Sequence, residues 1–137
     1  MSYYNDALIR IKNYKHNFLD GEYKYCVALC CEAADRLLKE KLENMDKGSV
    51  LLVGHDFIGI YKALQKKYPS KANLIPHLQK IRKYFNDSRY SGSESSVDPQ
   101  VYTKEFAEEM YGYTMLVKDY IDNECSDGLQ GLVNRFK

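Results

Sequence analysis

The sequence predicts an all-α fold, an antiparallel bundle of five to six helices. Three observations carry this. Apolar residues recur near the 3.6-residue period along most of the chain. Helix-breaking prolines number only three, at positions 69, 76 and 99. The one short apolar stretch that could be a strand, Val50-Leu51-Leu52-Val53, has no partner strand elsewhere and reads as a buried connection. A chain of 137 residues fits one domain with a real core. The expected domain spans 1–137, with its core over 3–124 and an amphipathic tail helix over 127–136.

The first helix is expected over about 3–18, where Tyr4, Leu8, Ile11 and Phe18 recur near helical spacing. Asp20-Gly21 breaks it, with Asp20 placed to cap the next helix. The second runs over about 22–45. Its apolar set, Cys26, Val27, Leu29, Cys30, Ala33, Ala34, Leu37, Leu38 and Leu42, is wider than one stripe, so this helix is contacted on two sides. Lys47-Gly48-Ser49 stops it. A third helix over about 55–67 buries Phe57, Tyr61, Leu64 and Tyr68 and ends at Tyr68-Pro69. A fourth, over about 73–87, carries Leu74, Leu78, Ile81 and Phe85 on one face.

Residues 91–98 form a polar loop, too short to divide domains. Asp98-Pro99 then supplies an N-cap and a proline at the first helical position of a long fifth helix, about 99–124. Its buried face is marked by Tyr102, Phe106, Met110, Tyr113, Val117 and Tyr120 or Ile121. The tail helix carries Leu129, Leu132, Val133 and Phe136.

Composition excludes several function classes. Twenty Lys plus Arg against nineteen Asp plus Glu give a net charge of +1, which argues against nucleic-acid binding by bulk charge. No apolar run approaches the roughly 20 residues of a membrane span. The start, MSYYNDALIRIK, has no signal-peptide core, so a cytoplasmic protein is expected. Cys26, Cys30 and Cys31 share one helix and Cys125 lies far away. With no second Cys/His cluster they read as small buried hydrophobes, not as a zinc site. No GxSxG, HExxH, GxxxxGK[ST] or GxGxxG occurs, and no cofactor is implied.

The polar candidates are few. Arg10 and His16 are six steps apart, which on a continuous helix sets them about 240° apart and away from a common site. His55-Asp56 opens the third helix, with Asp56 in its first turn and His55 as a possible cap. Asp35 and Lys39 form an i,i+4 pair, most simply a surface ion pair. Arg89-Tyr90 sits where a helix gives way to the polar loop. An arginine there can bind phosphate and a tyrosine can stack on a base, or both can tie the loop to the bundle. Lys66, Lys67, Lys71, Lys80, Arg82 and Lys83, with Tyr68 and Tyr84 interleaved, form either a solvated face or an RNA-facing patch. Thirteen tyrosines fit a protein interface, most simply a twofold homodimer.

Several of these segments resemble a known family. GEYKYCVALCCEAADRLLKEKL, residues 21–42, is similar to the second helix of HEPN domains, with Glu32, Ala33, Ala34, Leu38 and Lys39 on the family pattern. His55-Asp56-Phe57 with Tyr61 and Leu64 resembles the family's "HDL…L" helix, YFNDSRY at 84–90 its "Y…RYP" element, and the helix from Pro99 with Ala107 its last bundle helix. The resemblance covers about 3–124. It implies a helical bundle that commonly dimerises, often beside a minimal nucleotidyltransferase. Some members are metal-independent ribonucleases and toxins with an Arg-x4-6-His motif; others are thought to bind nucleotides or act as partners. Arg89 is followed by YSGSESS, with no histidine at that spacing, and Arg10/His16 lies on the wrong helix for the motif. The expectation is a non-catalytic homodimeric domain that binds a nucleotide or a nucleotidyltransferase-type partner. Arg89, Tyr90, His55 and Lys39 are its expected polar contacts. The alternative is a ribonuclease toxin with a degenerate Arg/His motif, acting on RNA.

Overall fold

A computed structural model describes residues 2–89 and 98–125, and every regular element among them is helical. Helix α1 spans Tyr3–Leu19 and α2 spans Tyr23–Met45. The hydroxyl of Ser2 caps α1 by accepting from the Asn5 amide at 3.1 Å. Gly21 and Gly48 hold φ of +77° and +91°, so both expected stop signals are turns that only glycine enters without strain. Asp20 does not cap α2 as expected. It closes the C-terminus of α1, and Glu22 stands at the start of α2 without a side-chain cap.

Pairs along α1 and α2 run in opposite order: Tyr4 with Glu40, Arg10 with Glu32, Tyr14 with Cys26. The two helices are therefore antiparallel, as short connections require. The inner line of α1 is Ala7 and Tyr14, flanked by half-buried Tyr4, Ile11 and Phe18. This is a 3-4-3-4 spacing. Leu8, expected on that face, is exposed.

Helix α2 is the central element and packs against α1 and three later helices, which accounts for its wide apolar belt. Leu37 and Leu38 are fully buried. Burying each contributes about 1.5–3 kcal/mol relative to exposure. The stretch expected as a buried connection forms one helical turn, α3, Val50–Val53, with Val50 buried.

Helix α4, Phe57–Gln65, is shorter than expected because Asp56 is its N-cap, accepting from the Gly59 amide at 3.0 Å. Asp56 is thus not in the first turn, and His55 stands outside the helix. Phe57, Tyr61, Leu64 and Tyr68 are all buried. Helix α5, Ile75–Asp87, starts at Pro76 rather than at 73, since proline fits only the first turn. Leu74, Leu78, Ile81 and Phe85 are buried as expected.

The long fifth helix is divided. Asp98 caps only a 3-10 turn, Pro99–Val101, and Thr103 caps α6, Lys104–Asp119. Residues Tyr120–Glu124 continue as a π-helical turn. Tyr102, Phe106, Met110, Val117, Tyr120 and Ile121 are buried as the spacing implied. Thr114 is buried, whereas Tyr113 is half-exposed. All four cysteines are free and buried. The expected tail helix at 127–136 and most of the loop at 91–98 lie outside the described residues.

Candidate functional site

The charged edge of α2 faces the start of α1 and the turn before α4. Asp35 has no solvent exposure. It accepts from Arg36, from the Lys39 ammonium at 3.1 Å, and from His55 Nδ1 at 3.1 Å. Arg36 reaches on through Nε to Asp6 Oδ2 at 2.8 Å. Arg10 takes the other Asp6 oxygen at 2.5 Å and stands 3.4 Å from Glu32. The chain Glu32–Arg10–Asp6–Arg36–Asp35–Lys39 thus alternates in sign between the two helices. Burial pulls the Arg36 guanidinium down, but its bonds to Asp6 and Asp35 hold it above its ordinary pKa.

His55 owes its place to three supports. Arg82 donates to its carbonyl at 3.1 Å. Its ring packs on Phe85 with centroids 4.5 Å apart. Asp35 fixes its Nδ1. An unprotonated Nδ1 would set a lone pair against the carboxylate, so Nδ1 carries the proton and Nε2 is left as the free basic nitrogen. The imidazole side chain is 39% exposed. Ser2, Tyr3, Asp6, Arg36, Lys39 and His55 line an open pocket of about 500 Å³.

The expected site residues are therefore only partly brought together. His55 and Lys39 share this pocket, with Lys39 Nζ 3.4 Å from His55 Nδ1. Arg89 lies outside it. Its guanidinium stacks over Phe85 at 4.7 Å, and it lines a second pocket of about 390 Å³. Tyr90 falls outside the described residues. The Asp35/Lys39 pair is not a surface pair, since Lys39 is only 9% exposed in its side chain and Asp35 not at all. Sequence reasoning missed Arg36 and Asp6. The signal for this network was present: Asp35 stands between Ala34 and Leu37 inside an apolar belt, where a charge needs partners.

Two other candidates resolve. Tyr68 and Tyr84 are buried, so the basic run does not present their rings for base stacking. Lys67 and Lys83 lie over those rings, and Lys80 pairs with Glu109 at 2.6 Å. Helix α1 is unbroken from Tyr3 to Leu19, so Arg10 and His16 do not converge. Arg10 holds Asp6 and Glu32 while His16 faces solvent. No cluster of three or more metal-ligating side chains occurs among the described residues.

A family model described as HEPN domain matches residues 2–123. The chain belongs to the HEPN family. The match spans every described helix, from the cap of α1 to the π-helical turn. No curated protein and no solved structure gives a match. No described helix is long and apolar enough to cross a membrane. In this HEPN domain the segment resembling the family's "HDL" element supplies His55 to the pocket and Asp56 to the helix cap.

Proposed function

We propose that this is a non-catalytic, single-domain cytoplasmic HEPN protein that forms a homodimer and binds the phosphate of a nucleotide, free or carried by a nucleotidyltransferase-type partner. Arg36, Lys39 and His55 are the contacting groups. One observation carries this: a fully buried Asp35 holds three nitrogen-bearing side chains on one pocket wall. A stability role explains such a cluster poorly, because buried ion pairs roughly break even against apolar side chains. Arg10, Arg36 and Lys39 balance Asp6, Glu32 and Asp35 in charge. Protonation of His55 therefore tips the cluster positive, and phosphate binding is expected to tighten as pH falls.

The test is a thermal-shift series with adenosine mono-, di- and triphosphate against the parent chain and His55→Gln. A ligand at 100 times its Kd stabilises by about 2.7 kcal/mol, a shift of several degrees. A shift that is lost in His55→Gln supports the site. An undiminished shift in the variant places the nucleotide elsewhere. A flat screen moves the proposal to the protein partner, and light scattering that finds a monomer at all concentrations removes the dimer.

One observation favours a second reading, that of a ribonuclease toxin. Asp35 orients His55 in the tautomer that leaves Nε2 to take a proton from a ribose hydroxyl. Induced expression would then arrest growth and degrade RNA, with relief by His55→Gln. Absence of cleavage rejects it.

A further inference from the structure

The second pocket stands apart from the first and has a different chemistry. Its floor is apolar, formed by buried Ala28 and Leu29 of α2. The ring of Tyr25 is half-exposed beside it. Its rim is cationic. Arg89 at the end of α5 lies flat on Phe85, which pre-orients the guanidinium, and it forms no ion pair among the described residues. Opposite stands Arg10, whose two terminal nitrogens are taken by Asp6 and Glu32. Its Nε is buried and has no acceptor. Buried donors are nearly always paired, so this one calls for an acceptor from outside the chain. Glu32 is the single carboxylate of the lining, so two arginines against one glutamate leave one positive charge. The volume of about 390 Å³ suits a small molecule.

We propose that this pocket binds a small planar molecule bearing one oxyanion group, a carboxylate or a phosphate monoester. The oxyanion sits against Arg89 and supplies the acceptor that Arg10 Nε lacks. The planar body lies on Ala28 and Leu29 against Tyr25. Glu32 limits the charge the pocket accepts, because a second negative charge meets its carboxylate. This site does not depend on the Asp35 cluster or on the function proposed for it.

The experiment is a titration of the ¹⁵N-labelled full chain with benzoate, phenyl phosphate and inorganic phosphate, following the Nε–H signals of Arg10 and Arg89. Saturable movement of both signals with benzoate or phenyl phosphate is expected. The tighter of the two tells carboxylate from phosphate. Arg89 is exposed, so Arg89→Ala should keep the parent melting temperature while weakening binding about tenfold or more. Tyr25→Ala should weaken benzoate or phenyl phosphate and leave inorganic phosphate unchanged. Saturable binding that persists in His55→Gln separates this pocket from the first. Signals that stay still, an affinity unmoved by Arg89→Ala or Tyr25→Ala, or binding lost in His55→Gln each overturn the proposal.

Discussion

The two sides of α2 are built on opposite terms. Toward α5 and α6 the helix is dry: the Cys31 thiol donates to the Ile81 carbonyl, the Thr114 hydroxyl donates to the Cys30 carbonyl at 3.0 Å, and Met110 and Val117 fill the space between. Toward α1 the same helix carries Glu32, Asp35, Arg36 and Lys39, tied to Asp6, Arg10 and His55. The dry side lowers the free energy of folding through area and dispersion. The charged side exchanges hydration for ion pairing at little net gain. A helix that can be apolar on one side has no stability reason to be ionic on the other, so the charged side is where binding is to be sought.

The largest effect should come from unbalancing the charged side. Asp35→Ala leaves Arg36 and Lys39 without their buried counter-charge and is expected to cost about 3–5 kcal/mol, read from urea denaturation. A loss below about 1 kcal/mol would mean that water already compensates these cations. On the dry side Leu37→Ala removes a fully buried side chain and should cost about 2–5 kcal/mol. It should leave nucleotide affinity unchanged, whereas Asp35→Ala should abolish it. Equal effects of the two on binding would erase the distinction between the sides.

The dry side also predicts an alkaline limit. Burial pushes the Cys26 thiol from 9.0 up to about 11, and burial likewise raises Cys30, Cys31 and the hydroxyl of Tyr14. A group that holds its proton more tightly when folded contributes stability in full below its ordinary pKa and loses it as pH rises through the folded value. Unfolding free energy should therefore fall as pH climbs above about 9, and native thiols should react slowly with a disulfide reagent below that. A flat profile from about pH 8 to 11 would contradict it.

The smallest effect belongs to an outer pair. Glu109 is held below its ordinary value by its bond to Lys80. Its contribution is present above the ordinary carboxylate range and is lost as pH falls through the lowered pKa. Solvent screens it, so Lys80→Met should cost under about 1 kcal/mol, most visibly at low salt.

Most helix positions were legible because their signals are local. Gly21 and Gly48 mark turns whatever surrounds them, and the apolar spacings in α4 and α5 name their own buried faces. The exceptions are also local in origin. Asp98-Pro99 reads as the start of a long helix, yet Thr103 offers a second cap, and the chain uses both, dividing the segment into a 3-10 turn and α6. Likewise Asp20 and Glu22 both stand near the start of α2, and no local rule decides between them.

The candidate site was legible only in pieces. Spacing placed Lys39 one turn beyond Asp35, but i,i+4 spacing is the same whether a neighbouring helix covers the pair or water does. His55 and Arg89 were picked out singly, and the packing of α5 then set them on either side of Phe85, in different pockets. The sequence by itself determined the helical class, the central role of α2 and the burial of its cysteines, because periodicity and turn chemistry act over a few residues. The burial of Asp35, its grip on Arg36, Lys39 and His55, and the separation of Arg89 were decided by the tertiary structure alone. Those contacts join residues 20 or more positions apart, or depend on which face a neighbouring helix covers, and only the packed bundle settles either.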